Sequence, residues 1–305
     1  MNGARRGGRR FAAALALCIV GTEGLAQQAT VPPLSVVRPS GDRVSWRGIP
    51  PDELAGSQGA MLYPAPSAVG LLAAIFTHAA IVQGGREAER RSRQQAADKV
   101  LEPFAATLAE MSPSRLTDEA LRKLEVDASK KVVDSAASAD AAWILEMQPS
   151  FSMAPDQRTV VLDNAVRLYP LGQSNAPLFA NIVRVISAPA EPMADAPTAP
   201  MTGEALQEES AQMLAHSIEV VLSRATQDAQ RDGAFKTQRY RFGENEKMER
   251  GVPVATGCGR VILRTLREWL MSVPVQPDAG APACSHRYRL TKPDTTAGAT
   301  AATGS

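Results

Sequence analysis

Seventeen consecutive residues, Ser67 to Gln83, carry no charge, and on a helix their apolar side chains occupy the whole circumference. Only Gly70, Thr77 and His78 interrupt the apolar interior of the run. A helix apolar on every side aggregates in water, so something must cover it. At 1.5 Å per residue it is about 25 Å long, short of a hydrocarbon core of about 30 Å. Its many alanines, Gly70, Thr77 and His78 further weaken it as a membrane span. Three arrangements meet the constraint: burial in the fold, contact with a membrane surface or second protein, or an inner-membrane anchor. The residues expected to make such a contact are Gly70, Leu71, Leu72, Ile75, Phe76, Ile81 and Val82, with Gly70 and the alanines allowing close approach. Gly84-Gly85 follows, then the stretch Arg86 to Arg93, in which Glu87 and Glu89 dilute any affinity for phosphate head groups.

The N-terminus adds an address. Arg5, Arg6, Arg9 and Arg10 precede an apolar stretch from Phe11 to Val20, and Gly24-Leu25-Ala26 places small residues at −3 and −1 of a cut after Ala26. Basic region, short apolar region and small-residue site spell a secretory signal over residues 1–26. Leu17 stands before Cys18 where a lipobox needs a small residue, so lipid attachment is not expected. An anchor at 67–83 behind a cleaved signal would return everything after Arg86 to the cytoplasm. The expected location is therefore the periplasm or envelope, with inner-membrane anchoring through 67–83 as the alternative.

Charge limits the partners. The chain has 33 Lys and Arg against 32 Asp and Glu, and removing the signal, with its four Arg and one Glu, takes the formal charge from +1 to −2. Such a balance disfavours nucleic acid as a partner. Two cysteines remain after the signal, Cys258 and Cys284. In an exported chain an even number is compatible with one disulfide, here closing a loop with Pro274, Pro277, Gly280 and Pro282; two unpaired core thiols are the alternative.

Periodicity divides the rest. Residues 27–63, rich in Pro, Gly and Ser, read as an extended lead-in, 64–138 as a helical region, 139–290 as an α+β domain and 291–305 as a disordered tail. Ala96, Ala97, Val100, Leu101, Phe104 and Leu108 recur at helical spacing, with a kink expected at Pro103. Thr117 is expected to cap the next helix, extending towards Ala136. From Trp143 the period becomes two. Val160, Leu162, Val166 and Leu168 point one way, and Thr159, Asp163, Arg167 and Tyr169 the other. Leu178 to Ile186 gives a third strand and Phe235 to Phe242 a fourth, with a short partner at Lys247 to Arg250. Between these, Glu204 to Gln227 reads as an amphipathic helix facing inward with Leu206, Met213, Ile218, Val221 and Leu222. Ile262, Leu263, Leu266, Trp269 and Leu270 predict a last helix over 259–271, although Val261, Leu263 and Thr265 also alternate as a strand would. The expected fold is α+β: an antiparallel sheet of about four strands covered by helices on one face, with an N-terminal apolar helix.

Catalytic motifs are scarce. Ala55-Gly56-Ser57-Gln58-Gly59 is similar to a hydrolase nucleophile elbow, but Pro50-Pro51-Asp52-Glu53-Leu54 before it is no buried strand, and a flexible loop is the better reading. His78, His216 and His286 are scattered, and His216 with Glu219 reads as a solvated helix pair. No H-E-x-x-H, C-x-x-C or phosphate-loop motif occurs, so no metal, cofactor or catalytic residue is assigned.

Gly70 to Val82 with its arginine-rich sequel, Glu249-Arg250-Gly251 leading on to Arg264-Thr265-Leu266, and Ser272-Val273-Pro274 resemble the layout of a loose group of exported proteins of Gram-negative bacteria. The resemblance implies envelope residence and no particular activity. The expected function is that of a non-catalytic periplasmic or envelope protein acting through protein or membrane-surface contacts, a second copy of itself included. The alternative is a periplasmic hydrolase whose Asp, Glu or Ser residues only the fold brings together.

Overall fold

The computed structural model describes residues 31–54, 84–124, 128–188, 199–226, 233–243, 245–257 and 259–275. Its strands are β1 (Leu34–Val37), β2 (Ser45–Gly48), β3 (Lys130–Val133), β4 (Trp143–Met153), β5 (Val160–Pro170), β6 (Phe179–Ile186), β7 (Lys236–Phe242), β8 (Asn245–Gly257), β9 (Arg260–Thr265) and β10 (Leu270–Pro274). Its α-helices are α1 (Pro51–Leu54), α2 (Gly84–Asp98), α3 (Ala105–Glu110), α4 (Pro113–Lys123) and α5 (Gly203–Thr226), with a 3-10 stretch over Lys99–Phe104.

All ten strands belong to one mixed sheet, in the order β3-β1-β4-β5-β6-β10-β9-β8-β7, with β2 pairing β4 beyond β1. The centre is an antiparallel meander in which β4 pairs with β5 along its whole length, from Trp143 opposite Pro170 to Met153 opposite Val160. Antiparallel hairpins also join β7, β8, β9 and β10. The parallel contacts are β1 with β3 and β4, β2 with β4, and β10 with β6. Four parallel pairings need long crossovers, which is why segments distant in sequence lie side by side.

Alternation along the central strands separates two cores. Leu145, Met147, Phe151 and Met153 of β4, Val160, Leu162, Val166 and Leu168 of β5, and Val183 and Val185 of β6 pack with Leu206, Met213, Leu214, Ile218, Val221 and Leu222 of α5 and with Leu116, Ala120 and Leu121 of α4. The intervening residues face the other side, where Val161, Ile186, Val261, Leu263, Met271 and Val273 join Tyr240 and Phe242 of β7. β7 closes one end of the sheet order yet shares this second core with β5, so the sheet rolls back across its own face. Gly243, at φ +60 in the β7–β8 turn, abuts the Asp156 carboxylate, which holds the β4–β5 turn through the Arg158 and Thr159 amides.

The expectation of about four antiparallel strands under helices is thus corrected to a ten-stranded mixed sheet. Three physical causes account for it. The lead-in contributes β1 and β2, each of four residues and too short to show a period; β2 is seated by Trp46 stacking on Phe151 at 4.8 Å. The helix expected over 259–271 is instead β9 and β10, turned at Glu268 with φ 64. Both faces of β9 are buried, so its apolar residues run together and imitate a helix. Last, the helix expected to run to Ala136 stops at Lys123 and yields to β3. That helix starts at Pro113, capped by Ser112, whose Oγ accepts the Arg115 amide at 3.2 Å; Thr117, expected as its cap, is fully buried within it. The expected N-terminal apolar helix at 67–83 lies outside the described residues.

Helix α2 is exposed from Ala88 to Arg93 and meets the sheet through its last turn. There the Gly48 amide donates to Asp98 at 2.8 Å, and Gln94 Nε2 donates to the Gly48 carbonyl at 2.9 Å. A Cβ at Gly48 would collide with the Ala97 carbonyl. Gly48→Ala is therefore expected to destabilise the fold by about 1–3 kcal/mol through overpacking. Gln95→Ala on the exposed side of α2 should stay within about 0.5 kcal/mol of the parent. Chemical denaturation checks both, and equal stability of the two variants would show that α2 does not dock on β2.

Candidate functional site

The roll of the sheet makes a cleft of about 90 Å3, lined by Arg47, Ile49, Glu53, Ser152, Val161, Asp163, Arg184, Ile186, Tyr240, Phe242, Lys247 and Met271. Each polar member arrives by strand alternation. Ser152, Asp163 and Arg184 occupy the positions of β4, β5 and β6 that point away from α5, while Tyr240 and Lys247 are direct partners across the β7–β8 hairpin. Arg47 comes from β2 and Glu53 from the single turn α1, which follows Pro50 and opens with Pro51.

The two acids of the cleft are both clamped. Asp163 and Arg184 are register partners across β5 and β6, and the guanidinium donates to the two carboxylate oxygens at 2.6 and 2.7 Å. Arg47 grips Glu53 in the same two-point manner at 3.0 and 2.9 Å. Such forks neutralise a carboxylate and fix its orientation. Burial works against the charge of Arg184, but Asp163 more than offsets it and holds the guanidinium above its ordinary pKa.

Three donors in the cleft have no such partner. The Lys247 ammonium lies over the Phe242 ring, 4.2 Å from its centroid, and meets no carboxylate at ion-pair distance among the described residues. Burial lowers its pKa, and Arg184 lowers it further, partly countered by Glu53. Tyr240 is 7% exposed and Ser152 6%, and neither hydroxyl has a hydrogen-bond partner among the described residues. Burial, with Glu249 nearby, pushes the Tyr240 phenol up to about 12, so it stays a donor throughout the physiological range. Glu249 itself is raised by burial, with Arg267 and Arg184 opposing.

A second polar cluster lies under α5. His216 Nε2 is 2.8 Å from Ser272 Oγ, and His216 Nδ1 is 3.9 Å from Glu219. The order Ser, His, Glu imitates a hydrolase triad, but Ser272 is fully buried and its Oγ also accepts a hydrogen bond from Arg260 Nε at 3.0 Å. Arg260 further donates to the Ile186 and Ser272 carbonyls, so the cluster pins α5, β6, β9 and β10 together. His216, expected as a solvated pair with Glu219, is a core histidine, and Arg260 beside it is 2% exposed.

The residues expected to contact a membrane or partner, Gly70, Leu71, Leu72, Ile75, Phe76, Ile81 and Val82, lie outside the described residues, as do Cys258 and Cys284 of the expected disulfide. So do His78, His286 and the Ser57 loop. Among the described residues no helix is long and apolar enough to cross a membrane, and no three His, Cys, Asp or Glu side chains gather to hold a metal. Sequence reasoning missed Lys247, Tyr240 and Ser152 altogether. Strand pairing carries the available signal: Tyr240 and Lys247 fall in the strand read at Phe235–Phe242 and its short partner at Lys247–Arg250, and the hairpin makes them register partners.

Tyr169, which donates to Glu146 at 2.9 Å, is likewise pushed up to about 12 by burial and by that carboxylate. Both phenols hold their proton more tightly folded than unfolded. Their contribution to stability is complete below the ordinary value of about 10 and is lost as pH rises from there to about 12. Ultraviolet titration of the phenolate should therefore show two of the four tyrosines ionising late, and Tyr240→Phe should remove one late step. A single ionisation of all tyrosines near 10 while the chain remains folded would contradict this burial.

In comparisons with known proteins, the chain matches no family model, no curated protein and no solved structure. The functional reading therefore rests on these residues alone.

Proposed function

We propose that the protein is an exported, non-catalytic component of the periplasm or envelope that works through contacts with a protein or a membrane surface, its sheet serving as the stable body. The observation that carries this reading is the commitment of the cleft carboxylates and of the buried serine–histidine pair. Both cleft carboxylates are held by arginines at two points, and the serine–histidine pair is closed off beneath α5. A general acid or base needs a proton it can exchange with substrate, and a nucleophile needs access. Supporting the contact role, the described chain resumes with α2, exposed from Ala88 to Arg93, directly after the uncharged run ending at Gln83. That run is the contact element in this reading, with Cys258 and Cys284 bonded in an oxidising compartment.

The test combines localisation with release. A C-terminal alkaline phosphatase fusion should be active, the processed chain should begin at Gln27, and carbonate or detergent extraction should define how it is held. Leu72→Asp and Ile75→Asp should free the protein from membranes or cross-linked neighbours while circular dichroism stays that of the parent. An inactive reporter would place the C-terminus inside and refute export. Loss of all structure in both variants would make the run an internal core element, since a buried unpaired charge is not tolerated there.

A further inference from the structure

We propose that the cleft between β2, β5, β6 and the β7–β8 hairpin binds a small oxyanion, a carboxylate or phosphoryl group, through Lys247, Tyr240 and Ser152. The side chains of Tyr240 and Ser152 are more than nine-tenths covered, yet their hydroxyls have no partner among the described residues and stay open to the cleft that both residues line. Beside them, the part-exposed Lys247 ammonium, with three donors, lies over an aromatic face and has no carboxylate at ion-pair distance among the described residues. All three groups can donate, and an oxyanion, which only accepts, can take a hydrogen bond from each.

Charge points the same way. The lining holds three cations, Arg47, Arg184 and Lys247, and two acids, Glu53 and Asp163. Because each acid is already bound at two points by an arginine, the remaining positive charge belongs to Lys247. A metal ion would find no free carboxylate there, and an apolar ligand would leave the three donors unsatisfied. Room is adequate: a water needs about 10–15 Å3 measured in this way, so the cleft of about 90 Å3 admits a group of several heavy atoms with its oxygens. Lys247 and Tyr240 are paired across the β7–β8 hairpin and Ser152 comes from β4, so the donors reach the cleft lining from two separate hairpins. Glu249 stands beside Tyr240 outside the lining, and its charge opposes an anion.

Isothermal titration of the purified protein at fixed ionic strength, with inorganic phosphate and with acetate, tests the site and separates the two kinds of oxyanion. One of the two should bind saturably at one site. Lys247→Gln should weaken it by about tenfold or more, and Tyr240→Phe and Ser152→Ala by several-fold each, the charged contact being the stronger. Glu249→Gln should tighten binding, and Lys236→Gln, exposed on the same hairpin, should leave it unchanged. If Lys247→Gln does not fold, the two hydroxyl deletions decide, since each removes a single oxygen. Absence of saturable binding by either anion at about 10 mM overturns the proposal. So does parental affinity in Lys247→Gln, or in both hydroxyl variants.

Discussion

Asp163 and Arg184 face each other across the two central strands, on the side of the sheet opposite α5. A carboxylate about three-quarters withdrawn from water is tolerated only if its charge is met, and here both oxygens are met by one guanidinium. The pair locks β5 to β6 in the register that puts Val160, Leu162, Val166 and Leu168 beneath α5. A slip of one residue would bury Asp163 under the helix and expose the leucines. Glu146 and Arg167, also register partners, repeat the device between β4 and β5 at 3.0 Å. Two ion pairs on one face therefore guard the apolar assignment of the other, and the roll of the sheet turns the Asp163–Arg184 pair into the floor of the cleft.

Helix α5 meets polar groups on the opposite face. Asn164 Nδ2 donates to Ser217 Oγ at 2.9 Å, and His216 meets Ser272 and, through it, Arg260. These contacts orient a helix that is buried on nearly all sides from Ser210 to Leu222, with the sheet beneath it and α4 alongside. A helix in that position keeps only a narrow solvent edge, at Gln212 and Glu219, and specific hydrogen bonds help to fix its rotation. The resemblance to a catalytic triad follows from this packing role, in which a small hydroxyl and an imidazole fill a gap between helix and sheet.

Much of the central meander was legible because its strands are long and each has one face against α5. The pattern of β5 could be read residue by residue. The outer strands were not legible for opposite reasons. β1 and β2 offer four residues each, and their parallel partners lie far along the chain, so neither period nor adjacency betrays them. β9 is buried on both sides, so Val261, Ile262 and Leu263 form a continuous run that mimics a helix. The cleft was hidden for a third reason: Ser152, Asp163, Arg184, Tyr240 and Lys247 come from five strands, and only the roll of the sheet brings them together. What the sequence does contain is the pairing of acids with arginines once hairpin registers are laid out, as Glu146 with Arg167 shows.

A double-mutant cycle on Asp163 and Arg184 tests most directly whether the cleft acids are structural. Asp163→Asn, Arg184→Met and the double variant would be unfolded in denaturant and their stabilities compared with the parent. The expected result is a coupling of about 1–3 kcal/mol, with the double variant losing clearly less than the two single losses together, because each single change strands a half-buried charge or dipole. Additive losses, to within about 0.3 kcal/mol, would mean that the two residues act independently. Asp163 would then not be held by Arg184, and the carboxylate would again be available for chemistry in the cleft.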